Sequence, residues 1–416
     1  MVFSYLSARH SMASITNLPL HLVADILGLL DNIQQLSSVV LSHRIFHSAL
    51  LDTPSLPLDI LRTQIPENLL HLAVAAYTSK KSIRDVNGIG VEAYLTKFYG
   101  MPLQHVDGGR LRLTLAQALQ ISRIDSALSE LRDEFTLCSL RRLYGVKHDD
   151  PILDEQGLSP GKAYRISRAL YRFQIYRNLF LDKEEELDLF PSDGEQEEYE
   201  EEETKSDKQL KKLFFDRHSP WVKEQLACVY DYLETRLTGA YRQVVVNGFQ
   251  WGENLTEWFT EKTQLFEEQR YPKLSLGLPR LISLLKASTY EEWQCSLGDA
   301  THLCQSCLEE DLEVFNRGKR TKAKHGVWRV ADMDRLTKEV DADEGDVTDD
   351  HRCQMWTKVY YDQVHERFRL GYHAFSPMRF FYGLRGIGHV LWDGRRMEDE
   401  VCKGTVDKAY RGDAVF

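Results

Sequence analysis

Between residues 18 and 30 the chain reads LPLHLVADILGLL, with Leu18, Leu22, Ile26 and Leu30 at every fourth position. The spacing predicts an amphipathic helix, capped by Asn17 and opened by Pro19 at its first helical position. Val23 and Leu27 widen the apolar face. His21, Asp25 and Gly28 interrupt the run well short of the ~20 apolar residues that a membrane span requires, so the stripe has to be covered by protein. Asp31 is placed to cap a second helical stretch, NIQQLSSVVLSHRIFHSALLD, in which Ile33, Leu36, Val39, Val40, Ile45 and Phe46 are apolar and a turn near Ser42 makes a division. Two prolines within TPSLPLDI then end the helical run and predict a boundary over 53–63.

Helical periodicity continues beyond that boundary. It runs through PENLLHLAVAAYTS, VEAYLTKFYG, LTLAQALQISRIDSALSELRDEFTLCSLRRLYG, GKAYRISRALYRFQIYRNLFL, PWVKEQLACVYDYLETRLTGAYRQVV and LPRLISLLKAS. The alternating segments RLRLTL and RQVVV are the strand candidates. No period of about 20 to 50 residues recurs, which excludes a recognisable solenoid. The expected fold is mainly α: a small N-terminal three-helix module over 15–55 joined to a larger all-helical body over 64–416. A module of that size sits near the limit at which a hydrophobic core stands alone, so it should lean on a partner or on the rest of the chain.

Composition changes this picture little, and charge changes it more. With 416 residues, 43% hydrophobic and 28% charged, the chain has globular composition and length for more than one domain. Its seven cysteines are odd in number and scattered, which fits a reducing compartment, and no targeting or membrane segment is evident; a cytoplasmic or nuclear location is expected. The net charge of -11 is local in origin. Residues 182–203 hold thirteen acids and one lysine, leaving a net of +1 elsewhere, so 182–206 is expected to be a disordered acidic surface loop. A second acidic loop is expected over 339–350. Its DADEGDVTDD resembles a calcium loop only in composition, because glycine falls one position early and Arg352 stands where a bidentate glutamate is needed.

Leu18-Pro19, Leu22, Ile26-Leu27, Leu30, Leu36 and the tail LSHRIFHSA together resemble an F-box, the helical module that docks on the Skp-type linker of cullin-RING ubiquitin ligases. LSPGKAYRISRALYRFQIYRNLF (158–180), SPWVKEQLACVYDYL (219–233) and GLRGIGHVLWDGRRME (383–398) are similar to blocks shared by F-box proteins of filamentous fungi with an all-helical C-terminal body. The resemblance implies a substrate-recognition adaptor, with a Skp-type linker and through it cullin as partners and a protein substrate on the body. It implies linker docking by Leu18, Pro19, Leu22, Ile26, Leu27 and Leu30, and packing within the F-box by Leu36, Val39, Val40, Ile45 and Phe46. A helical scaffold or protein-interaction module that never meets a ligase is the alternative from a different class, and a zinc- or nucleic-acid-binding protein using the cysteine cluster or the basic stretch is a third.

Candidate chemistry elsewhere is sparse. Cys295, His302, Cys304 and Cys307 have zinc-ligand chemistry, but the flanking YEEWQCSLGDATHLCQSCLEEDLEVF reads as helix, on which these side chains would not converge, and ordinary thiols are expected. His43 and His47 lack the adjacent glutamate of a metalloprotease motif, and GLRGIG has its glycines in the wrong order for a phosphate cradle. No nucleophile elbow or Walker loop is present, so no catalytic residue and no cofactor are expected. The basic stretch NRGKRTKAKH (316–325) has no interleaved aromatic, and neither nucleic acid nor membrane is expected as a partner. Trp221, Tyr230, Tyr232, Trp356, Tyr360, Tyr361, Tyr372, Phe380, Phe381 and Trp392 are expected in the core, with the lining of a substrate groove as the alternative for some of them. Protein purified without added metal should carry far less than one zinc per chain, and chelator should leave its helicity intact. Stoichiometric zinc that is lost on mutating Cys304 and Cys307 would overturn this expectation.

Overall fold

The computed structural model describes residues 15, 18–97, 112–146, 158–181, 205–218, 220–250 and 277–287, with short pieces at 289, 292, 308, 311–312, 384–388, 391–392 and 399–411. The described chain is mainly α-helical, and no strand occurs among these residues. It divides into two compact units, one formed by Met1–His71 and Gly100–Arg123, the other by Leu72–Tyr99 and Ile124–Phe416.

In the first unit, α1 (Leu20–Leu27) and α2 (Ile33–Ser42) both pack on α3 (Arg44–Asp52), and α4 (Leu56–Gln64) packs on α2. Val23, Leu27, Ile33, Leu36, Val40, Ala49, Ile60 and Leu61 are buried. Three local expectations are corrected here. Pro19 is the N-cap and not the first helical residue; its carbonyl accepts from the N–H groups of Leu22 and Val23, while Asn17 lies outside the described residues. Asn32 and not Asp31 caps α2, its Oδ1 accepting from the Gln35 N–H at 2.9 Å, because the extended residue directly before the helix is the one whose side chain reaches back. The boundary expected over 53–63 is a short break: α3 ends at Asp52 with Thr53 as its C-cap and Pro54 in the turn that follows, but helix resumes at Leu56. Pro57 sits in the first turn of α4, where its missing N–H costs no helical hydrogen bond. The division near Ser42 is present: His43 is extended, and its Nδ1 accepts from the Ile45 N–H at 3.2 Å to start α3.

A polar node fixes this unit. Gln34 and Gln64 each donate a side-chain N–H to the buried Ser122 Oγ at 2.7 Å, and Gln64 Oε1 accepts the Ile33 N–H at 3.4 Å. Ser122 lies on α8 (Leu115–Tyr144), which follows α5 (Glu67–Thr78), α6 (Lys81–Val86) and α7 (Val91–Lys97). Thr114 and Gln117 open α8 by exchanging side-chain-to-backbone bonds of 3.2 and 2.9 Å, a capping box that converts the last part of RLRLTL into a helix start.

The second unit is arranged around α9 (Pro160–Tyr176), capped by Ser159 and followed by one turn of π-helix at Arg177–Leu181. Fourteen of its seventeen residues are buried, so its polar side chains are carried into the protein, where neighbouring segments supply many of their partners. The Tyr171 hydroxyl donates to Asp125 at 2.6 Å, and Tyr176 donates to Asp311, which also pairs with Lys211 of α10 (Lys205–Phe215) at 2.9 Å. Lys205 and Ser206, expected in the acidic loop, begin that helix; the rest of the loop and the 339–350 segment lie outside the described residues. α9 packs on α11 (Pro220–Gln250), which contains RQVVV as helix. Gln174 accepts the Leu278 N–H at 2.7 Å, which seats α12 (Leu278–Lys286), and donates to Asn178, itself donating to Ala76 O and Ser79 Oγ at 2.7 and 2.9 Å.

A hydrophobic cluster of Leu140, Leu143, Tyr144, Leu384, Ile387, Trp392, Cys402 and Val406 joins the end of α8, the 384–392 pieces and α13 (Glu400–Arg411). Gly388 turns there with φ +65°, and a Cβ at this position would stand 3.2 Å from the Phe135 ring. Gly388→Ala therefore combines an unfavourable backbone conformation with a close contact and should cost about 1 to 3 kcal/mol, read as a lower midpoint in chemical denaturation. An unchanged midpoint would remove this turn from the core.

Candidate docking surface

α1 carries two apolar faces. Val23, Ala24 and Leu27 point into the first unit and are buried. Leu22 and Ile26 remain 41% and 40% exposed, and Leu29, in the turn after the helix, is 81% exposed. Leu22 and Ile26 have the i, i+4 spacing of one helix face, Leu29 follows in the turn beyond the helix, and exposed Pro19 lies at its N-terminal end. The buried face is therefore the row that was expected only to widen the stripe, and two members of the stripe are turned to solvent. Leu18 and Leu30 lie outside the helix and are half-buried; Leu27 is a core residue. Of the F-box packing positions, Leu36 and Val40 are buried, while Val39, Ile45 and Phe46 are half-buried. Phe46 meets the His43 ring edge-on at 6.2 Å, and His47 is exposed.

Leu41 and Leu51, at the ends of α2 and α3, are 83% and 67% exposed. Neither was singled out by the sequence reading, nor was Leu29. The available signal was an excess: IQQLSSVVLS and RIFHSALLD hold more large apolar residues than one face of a nine- or ten-residue helix can bury. His21, Asp25, Asp31 and Arg44 are exposed in the same unit, so its apolar side chains stand among solvated polar ones.

In the second unit, the described parts of the three sequence blocks, 158–180, 220–233, 384–388 and 391–392, meet in the core. Arg385 donates to both Glu224 oxygens at 2.7 and 3.2 Å and to Asp231 at 3.4 Å. Burial opposes the charge, but the two carboxylates outweigh it and hold the guanidinium well above its ordinary pKa. Arg165 donates to the Leu391 carbonyl at 3.4 Å, the Lys162 ammonium lies 5.8 Å from the Trp392 ring, and Arg168 donates to Gln225 at 3.2 Å. Tyr230, Tyr232 and Trp392 are buried as expected; Trp356, Tyr360, Tyr361, Tyr372, Phe380 and Phe381 lie outside the described residues. Leu384–Gly388, part of GLRGIG, packs in the core.

Cys295, His302, Cys304, Cys307 and the basic stretch 316–325 also lie outside the described residues. Among the described residues no group of three or more His, Cys, Asp or Glu side chains is placed to hold a metal ion, and no helix is long and apolar enough to cross a membrane. Compared with known proteins, the chain matches no family model, no curated protein and no solved structure.

Two expected outcomes follow from the packing of the second unit. Arg385→Leu leaves the Glu224 and Asp231 carboxylates buried without their cation and should destabilise the protein by about 3 to 5 kcal/mol, whereas adding Glu224→Gln and Asp231→Asn should recover part of the loss. A double or triple variant no better than the single one would show that the pair charges are not what the arginine serves. His218, half-buried with its ring against Phe214 at 5.0 Å, is held well below the usual histidine range by desolvation and then by Arg172, Lys223, Arg168 and Arg217. The unfolded chain then binds a proton that the folded one refuses, so this contribution is complete above the unfolded pKa of about 6.5 and is lost as pH falls below it. The melting temperature of His218→Gln should fall less than that of the wild type between pH 7.5 and pH 5.5. Parallel curves would contradict the assignment.

Proposed function

We propose that this chain is a substrate-recognition adaptor of a Skp-cullin-F-box ubiquitin ligase. The first helices dock the Skp-type linker, and cullin through it, while the C-terminal body holds a protein substrate; the adaptor itself carries out no catalysis. Work within such a ligase places it in the cytoplasm, the nucleus or both.

The observation that carries this reading is the exposed pair Leu22 and Ile26, with exposed Leu29 in the turn beyond, on a helix whose other face is already filled by Val23, Ala24 and Leu27. Large apolar side chains in register on a short helix are the anchors by which a helix binds a hydrophobic groove, and a few such residues dominate the affinity of an interface. The resemblance of residues 15–55 to an F-box supports the Skp-type linker as the owner of that groove. The three blocks of the body support the same reading, since their likeness is to proteins that pair an F-box with a helical body.

The test is calorimetric titration of the full chain with purified Skp-type linker, beside circular-dichroism melts. Leu22→Asp with Ile26→Asp should weaken binding about thirtyfold or more, equivalent to roughly 2 kcal/mol, with little change in melting because both side chains already face solvent. Binding absent in the wild type would leave the helical scaffold as the reading that stands. Equal binding by wild type and variant would remove the row on which the proposal rests.

A further inference from the structure

We draw no further inference here: the strongest candidate, the buried basic face of α9 formed by Lys162, Arg165, Arg168 and Arg172 near the start of α11, carries nothing because each of these side chains already has a partner within the protein and nothing in the structure shows room for an anionic ligand beside them.

Discussion

The second unit depends on burying a helix that is not apolar. A helix covered on nearly every side is ordinarily hydrophobic all round, yet α9 carries Lys162, Arg165, Arg168, Arg172 and Gln174 into the interior. Leaving such groups unsatisfied in a dry core costs several kcal/mol each, so the surrounding segments have to supply carbonyls, amides, rings and carboxylates at fixed places. That requirement selects the neighbours. The Leu391 carbonyl meets Arg165, the Trp392 ring lies near Lys162, Gln225 accepts from Arg168, and Gln174 takes the first N–H of α12. Apolar contact alone tolerates sliding; these directional contacts fix one register.

The ion pairs next to α9 follow the same logic. Arg385 is inserted between Glu224 and Asp231 of α11, and Lys211 of α10 reaches Asp311, which also takes the Tyr176 hydroxyl. Against well-packed apolar side chains a buried pair adds little net stability, but it penalises every arrangement that separates the partners. Segments far apart in sequence are thereby held together, and the aromatic contacts of Tyr176 with Phe180, Phe214 and Phe215 fill the space beside them. A body built this way presents a stable outer surface, which is the property that the proposed adaptor role asks of it.

The first unit solves a different problem. Its helices are eight to ten residues long, too short to be stable alone, so they persist through mutual packing and through the Ser122 node on α8. Short helices have a narrow buried face, and surplus apolar residues remain outside it. Leu22, Ile26, Leu29, Leu41 and Leu51 are that surplus. Under the proposed reading the surplus is what a linker recognises.

Much of the helical architecture is local and was legible from the chain. α5, α7, α8, α9, α11 and α12 follow apolar periodicity, whereas α6 and α10 were not expected from it, and the Ser42–His43 break follows from interrupted periodicity with a side chain able to cap the next helix. Starts were less legible where two capping residues stand side by side, as at Asp31 and Asn32, or where proline is compatible with both a boundary and a first turn, as at Pro57. The four-residue spacing of Leu18, Leu22, Ile26 and Leu30 identified an apolar stripe but could not decide which side of it would be covered. Periodicity places residues on a common face; what lies against that face is set by contacts with α2 and α3 from elsewhere in the chain. The burial of α9 was beyond local reading for the same reason. Its arginines and lysine have the pattern of a solvated face, and residues more than fifty positions away, at Gln225, Leu391 and Trp392, supply partners that help that face to be buried.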